Sequence, residues 1–111
     1  MKPYPPVMRE KRRYILCKID AQQPITKKEA IKALWDNAFE FLGVIGAAEA
    51  SFWVMDFDEK KQEAILRVNN KNVDRVLGIL AFFDEVSNKK ACIHIIKISG
   101  TIRKTRKSSE P

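Results

Sequence analysis

Ser51-Phe-Trp-Val-Met-Asp-Phe-Asp-Glu-Lys-Lys-Gln-Glu-Ala-Ile-Leu-Arg-Val68 reads as two β-prone runs around a polar loop. Ser51 to Phe57 is dense in aromatic and β-favouring side chains, Asp58 to Gln62 has hairpin length, and Glu63 to Val68 resumes a strand pattern. Helical patterns flank this hairpin. Upstream, Thr26-Lys-Lys-Glu29 is a capping box, after which Ile31, Leu34, Trp35, Ala38, Phe39 and Leu42 recur at helical spacing until Gly43 ends the run. Downstream, Asn72 is placed to cap a second helix whose apolar face is Val73, Val76, Leu77, Leu80 and Phe83. Beyond the helices lie two outer strands, Tyr14-Ile-Leu-Cys-Lys-Ile19 and Ala91-Cys-Ile-His-Ile-Ile-Lys-Ile98, with Asn88-Lys-Lys90 as a loop before the last. The order β-α-β-β-α-β predicts an α+β, ferredoxin-like two-layer sandwich. Right-handed crossovers would give an antiparallel sheet in the order 4-1-3-2, with both helices on one face.

A chain of 111 residues, 45% hydrophobic, suits one packed core. The predicted domain is 14–98, between a basic N-terminal arm (1–13, interrupted by Pro3, Pro5 and Pro6) and a basic tail (99–111). Each end carries five basic residues against one acid: Lys2, Arg9, Lys11, Arg12 and Arg13 against Glu10, then Lys97, Arg103, Lys104, Arg106 and Lys107 against Glu110. Residues 14–96 hold 11 basic and 12 acidic residues, so nearly all of the net +7 sits at the ends. A neutral body with two cationic arms suits a polyanion held by its phosphates. No apolar run approaches the roughly 18 residues that cross a bilayer, and no secretory signal is visible. Cys17 and Cys92 lack CxxC spacing, so they read as reduced thiols in a cytoplasmic protein.

The open sheet face is inferred from charge alternation. Lys18 facing outward takes Tyr14 and Leu16 with it; Arg67 takes Ile65; Lys97 takes Ile93 and Ile95. Such a face is aliphatic, with Tyr14 its only central aromatic, and the strand Glu63 to Val68 has no aromatic for base stacking. It calls for a cover, from a partner protein or from the arms themselves. Phe82 and Phe83 adjoin on the second helix, so one of them must turn away from the core, which makes Phe82 a further candidate for a protein interface.

No active site can be composed. His94 is the sole histidine and reads as structural, and no metal set is seen. Asp56, Asp58 and Glu59 cluster in the hairpin, where solvated acids are ordinary. An acylphosphatase would need a Gly-rich anion loop after the first strand, where Asp20-Ala-Gln-Gln-Pro24 stands instead.

Three segments in this order resemble a known family. Met8-Arg-Glu-Lys-Arg-Arg-Tyr14 leads into a strand, Phe41-Leu-Gly-Val-Ile-Gly-Ala-Ala48 follows the first helix, and Ser99-Gly-Thr-Ile-Arg-Lys104 follows the last strand. Together they look like the ribonuclease P protein component 2 family, the archaeal counterpart of a eukaryotic ribonuclease P and MRP subunit. The resemblance implies an α/β sandwich in a ribonucleoprotein that removes the 5′ leader from precursor tRNA. It also implies that the catalytic RNA, not this chain, uses Mg²⁺; that the chain itself binds no cofactor; that ribonuclease P RNA and a barrel-fold component 3 are its partners, with precursor tRNA met indirectly; and that a 2:2 assembly forms. On this reading Arg9, Lys11, Arg12, Arg13, Arg103, Lys104, Arg106 and Lys107 neutralise RNA phosphates, with Ser99 and Thr101 adding neutral hydrogen bonds. The rival readings are a ferredoxin-like protein-interaction or regulatory module, whose affinity would ignore salt, and a stand-alone nuclease or phosphatase, which would turn over alone with Mg²⁺.

Overall fold

In the computed structural model, which describes residues 11–100, the chain is an α+β protein with helices packed on one face of an antiparallel sheet. The elements are β1 (Arg12–Ala21), α1 (Lys27–Glu49), β2 (Trp53–Asp58), β3 (Glu63–Asn69), a 3-10 turn (Asn70–Asn72), α2 (Val73–Leu80), β4 (Glu85–Val86) and β5 (Lys89–Ser99). The sheet has five strands, in the order β2-β3-β1-β5-β4. Four strands were expected; the described chain has a fifth, the short edge strand β4, and Lys89 and Lys90 of the expected Asn88–Lys90 loop lie in β5. Glu85 pairs with Lys90 and Val86 with Lys89 across a two-residue turn, Ser87-Asn88, with both residues at positive φ (49° and 68°). That backbone matches the twist of a tight hairpin, and Asn tolerates it better than most residues.

The core lies between the sheet and the helices. Ile15, Cys17 and Ile19 of β1 alternate toward it, as do Ala64, Leu66 and Val68 of β3, and they meet Ala30, Leu34 and Ala38 of α1 and Val76 and Leu80 of α2. Phe83 lies past the end of α2 and is buried, while its neighbour Phe82 is 67% exposed.

α1 starts where the capping box places it. The Glu29 backbone N–H donates to Thr26 Oγ1 (3.2 Å), and the Thr26 backbone N–H donates to Glu29 Oε1 (3.0 Å). The β2–β3 hairpin clamps the same helix end. Glu59 accepts from the Lys27 backbone N–H, Asp56 pairs with Lys27 Nζ (3.3 Å), and Gln62 Oε1 accepts from the Ile25 backbone N–H (2.9 Å). Asp58 is occupied too, accepting from the backbone of Lys60 at 2.9 Å. The hairpin acids thus brace a helix N-terminus, where negative charge is favourable. Hydrogen bonding from the Thr26 backbone, then from Ser87, with a smaller pull from Lys89 and some opposing desolvation, holds the Glu29 carboxyl below its usual 4.5. A depressed carboxyl pKa stabilises the fold above the unfolded value, and that contribution is lost as pH falls through the folded one. Thr26→Ala should cost about 1 kcal/mol at neutral pH. In chemical denaturation followed by circular dichroism, Glu29→Gln should lower the midpoint at pH 7, the deficit shrinking below about pH 4.5.

Gly43 divides α1 rather than ending it. Its φ of 72° and ψ of 175° interrupt the helix, which then resumes to Glu49. Before α2, the predicted Asn72 cap is replaced. Asn72 makes no capping bond through its side chain; Asn69 instead caps the 3-10 turn, its Oδ1 accepting from the Asn72 backbone N–H at 3.1 Å.

A β-bulge in β5 corrects the expected open face. Leu16 pairs with Lys97 but Cys17 pairs with Ile95, which leaves Ile96 unpaired. The face of Tyr14, Leu16, Lys18 and Asp20 therefore carries Cys92, His94, Lys97 and Ser99 from β5. Ile93 and Ile95 lie on the helix side opposite Ile19 and Cys17, and Ile93 packs against the core. Leu16 and Ile65 face each other on the open side, and both are buried (1% and 7% exposed). Long side chains, Lys18, Glu63, Arg67 and Lys97, surround that pair in the sheet register, and such stems can shield apolar surface.

Candidate nucleic-acid interface

β1 and β5 are antiparallel neighbours, and Tyr14 near the start of one pairs with Ser99 at the end of the other. The two basic arms therefore begin side by side, at one end of the sheet. Lys11 and Arg12 are exposed there. Arg13 is half-buried and anchored: its Nε donates to Asn70 Oδ1 at 2.9 Å. A side chain on Gly100 would crowd that guanidinium, since a Cβ there would lie 2.8 Å from Arg13 Nη1. The Asn70 backbone N–H also donates to the Lys11 carbonyl at 2.7 Å, which ties the 3-10 turn to the arm. This brings the exposed Lys71 to the same end, a cation absent from the sequence reading. The topology held the missing signal: β3 runs antiparallel to β1, with Asn69 opposite Arg12, so whatever follows β3 must lie beside the start of β1.

Of the other expected phosphate ligands, Ser99 is 7% exposed, and Arg9, Thr101, Arg103, Lys104, Arg106 and Lys107 lie outside the described residues. Among the expected protein-contact residues, Tyr14 is half-buried and Leu16 and Ile65 are buried. Ile93 is half-buried on the helix side, and Ile95, also on that side, is 41% exposed. Phe82 stands out on the surface and stacks on Phe41, with ring centroids 5.3 Å apart and planes at 29°. Near Phe41 on α1, Val44 and Ile45 are 74% and 76% exposed. The break at Gly43 rotates the helix after it, so apolar residues beyond position 43 no longer follow the core-facing phase set before it. Phe39, expected in the core, is 43% exposed and stacks on Trp35 at 5.4 Å. Phe82 also lines a cleft of about 350 Å³ between α1 and the segment after α2, whose charged lining is Glu29, Asp36, Glu40, Asp84 and Glu85 with Lys32, the last paired to Asp36 at 2.8 Å. The described surface thus has a cationic end, and elsewhere an apolar patch bordered by acids.

The two thiols differ sharply. Burial drives the Cys17 pKa up to about 12, outweighing a contact with the Ala64 carbonyl oxygen at 3.7 Å; the Glu63 charge adds to the rise. Cys92 is exposed. In the native protein a thiol reagent should modify one equivalent rapidly, at Cys92, and the second only on unfolding. Two fast equivalents in a native Ellman assay would contradict this.

Comparison with known proteins gives concordant results. Residues 13–109 match the model of the Rpp14/Pop5 family. The chain is 38% identical to ribonuclease P protein component 2 of Thermococcus gammatolerans over 103 residues, 93% of this chain and 86% of that one. It is 33% identical to the Pyrococcus furiosus protein of the same name, over 96% of this chain and 88% of the relative. It is 31% identical to the Methanobrevibacter smithii protein of that name, over 99% and 98% of the two chains. A chain in the cryo-EM structure of yeast ribonuclease MRP shares the fold, with a TM-score of 0.64 at 15% identity, over 85% of this chain and 77% of that one. Through a family match that begins at the anchored Arg13 and runs through both helices and every strand, this chain belongs to the Rpp14/Pop5 family.

Proposed function

We propose that this chain is a protein subunit of the ribonuclease P ribonucleoprotein, supporting the catalytic RNA that removes the 5′ leader from precursor tRNA. Family membership supplies the assembly. The observation that carries the RNA contact is the pairing of Tyr14 with Ser99, which starts two cationic arms from adjacent strands. Cations converging on one end can neutralise a run of closely spaced phosphates and so favour a compact RNA fold. The chain supplies no base-stacking surface on β3 (Glu63–Asn69, no aromatic), so its contacts are to backbone and read shape more than sequence. The chemistry belongs to the RNA and its Mg²⁺, and precursor tRNA is met indirectly, in the cytoplasm.

The apolar patch supports a protein partner alongside the RNA. Phe41, Val44, Ile45 and Phe82 offer aromatic and aliphatic anchors, and the neighbouring acids would complement a basic rim. Component 3 is the partner proposed here, in a 2:2 assembly. Reconstitution tests the whole reading. Ribonuclease P RNA and component 3, assayed for precursor-tRNA cleavage at modest Mg²⁺, should process efficiently only when this chain is added. Equal cleavage without it would overturn the subunit role and favour the salt-insensitive interaction module.

A further inference from the structure

The bulge that moves Ile93 and Ile95 to the helix side also turns Cys92 and His94 to the open face, with Asp20 of β1 opposite Cys92. These three residues come from two strands and lie 74 positions apart at most, too far for any local motif to announce them. Cys92 Sγ is 3.5 Å from His94 Nε2, and His94 Nε2 is 3.7 Å from Asp20 Oδ2. One donor atom from each residue lies within 4.8 Å of the others. A tetrahedral ion with a metal–sulfur bond near 2.3 Å and metal–nitrogen and metal–oxygen bonds near 2.0 Å separates sulfur from nitrogen by about 3.5 Å, and nitrogen from oxygen by about 3.3 Å. The sulfur–nitrogen and nitrogen–oxygen spacings are close to those values, and the sulfur–oxygen edge, within 4.8 Å, would shorten toward about 3.5 Å on binding.

We propose that Asp20, Cys92 and His94 form a binding site for a divalent transition metal of the zinc type, on the open face of the sheet and independent of RNA binding. Thiolate, imidazole and carboxylate together are the donor set of Zn²⁺ and Co²⁺, and a poor one for Mg²⁺ or Ca²⁺, which take oxygen ligands. Strand pairing fixes the backbones of all three residues, so binding has to order only side chains. Three protein ligands leave the fourth position to water. Lys18, opposite His94 on the same face, is the charged neighbour that a bound cation would meet. The plain alternative is that Asp20 and protonated His94 form only a solvent-exposed ion pair, with side chains 67% and 62% exposed.

Co²⁺ titration of the reduced full-length chain separates the two. The chain contains two cysteines and one histidine, and Cys17 is buried, so a near-ultraviolet sulfur-to-cobalt charge-transfer band can come from the native protein only through Cys92. The expected result is that band, saturating at one equivalent per chain and removed by Zn²⁺. Cys92→Ser should abolish it, His94→Ala and Asp20→Asn should weaken binding, and Lys18→Ala should tighten it. Circular dichroism would verify that each variant is folded, and Zn²⁺ should slow alkylation of Cys92 in the unmutated chain. Absence of the band, a band that survives Cys92→Ser, or saturation at half an equivalent would each overturn a three-ligand site within one chain.

Discussion

Replacing Arg12, Arg13, Arg103 and Lys104 together by Ala should flatten the salt dependence of RNA binding. Four phosphate contacts give a slope of log affinity against log salt of roughly −3, so the unmutated chain should lose about 60-fold in affinity between 50 and 200 mM salt. The quadruple variant should lose little over the same range, and should bind more weakly at low salt. Of the two targets within the described residues, Arg12 is exposed and makes no side-chain hydrogen bond or ion pair among those residues, and Arg13 contributes one exposed hydrogen bond to Asn70. Losing that bond costs about 1 kcal/mol or less, so the melting temperature should fall by only a few degrees. Fluorescence anisotropy across a salt series measures the slope directly. A variant that kept the steep slope would show that the phosphates are held elsewhere, and the cationic end of the sheet would lose its proposed role.

Leu66→Ala tests the opposite limit. Leu66 is fully buried on β3, opposite Ile15 on one side and Val54 on the other, and it reaches the helices across the core. Deleting its side chain leaves a cavity in a site that two paired strands prevent from collapsing, so the expected cost is about 2–5 kcal/mol. That is a large fraction of a typical domain stability of roughly 5–15 kcal/mol. The denaturation midpoint should drop steeply with an unchanged m-value. Phe82→Ala is the matched control, removing a larger side chain that is 67% exposed. It should leave the free chain within about 1 kcal/mol of the parent. If the apolar patch meets component 3, the same variant should weaken that complex and reduce reconstituted cleavage. Equal stability losses for the two variants would refute the assignment of core and surface.

The helices, the hairpin and the alternation on β1 and β3 were legible because each rests on local periodicity or on a cap whose partners are a few residues apart. Thr26 and Glu29 lie three positions apart, and their reciprocal bonds form as the spacing demands. What escaped the sequence depends on alignment between distant strands. Nothing in Ala91 to Ile98 shows that one residue will be skipped, because the pattern of three isoleucines after His94 fits either face. The bulge decides it, and with it the placement of Ile93, Ile95, Cys92 and His94. β4 was missed because two residues carry no periodicity, and its pairing depends on positive φ at Ser87 and Asn88. The exposed patch was half visible: Phe82 followed from its adjacency to Phe83, whereas Val44 and Ile45 required knowing that Gly43 bends the helix without ending it. The cationic end was legible as two clusters of charge. That the two clusters start from adjacent strands, and that Lys71 lies at the same end, came from topology.

The unpaired Ile96 has a consequence for how this strand can change. On either side of it the side chains of β5 alternate in opposite phase, Ile95 facing the helices with Cys17 and Lys97 facing away with Leu16. Exchanging one aliphatic residue for another at position 96 should disturb little, since that side chain is 45% exposed. Deleting it should remove the bulge and nothing else. Ile95 and Lys97 would become neighbours, and they already face opposite sides, so the strand would alternate without interruption and each remaining residue would keep its partner on β1. A deletion elsewhere in β5 leaves the skipped residue in place and would force part of the strand to exchange faces. β5 should therefore accept a shorter chain at Ile96 and reject it at its paired positions.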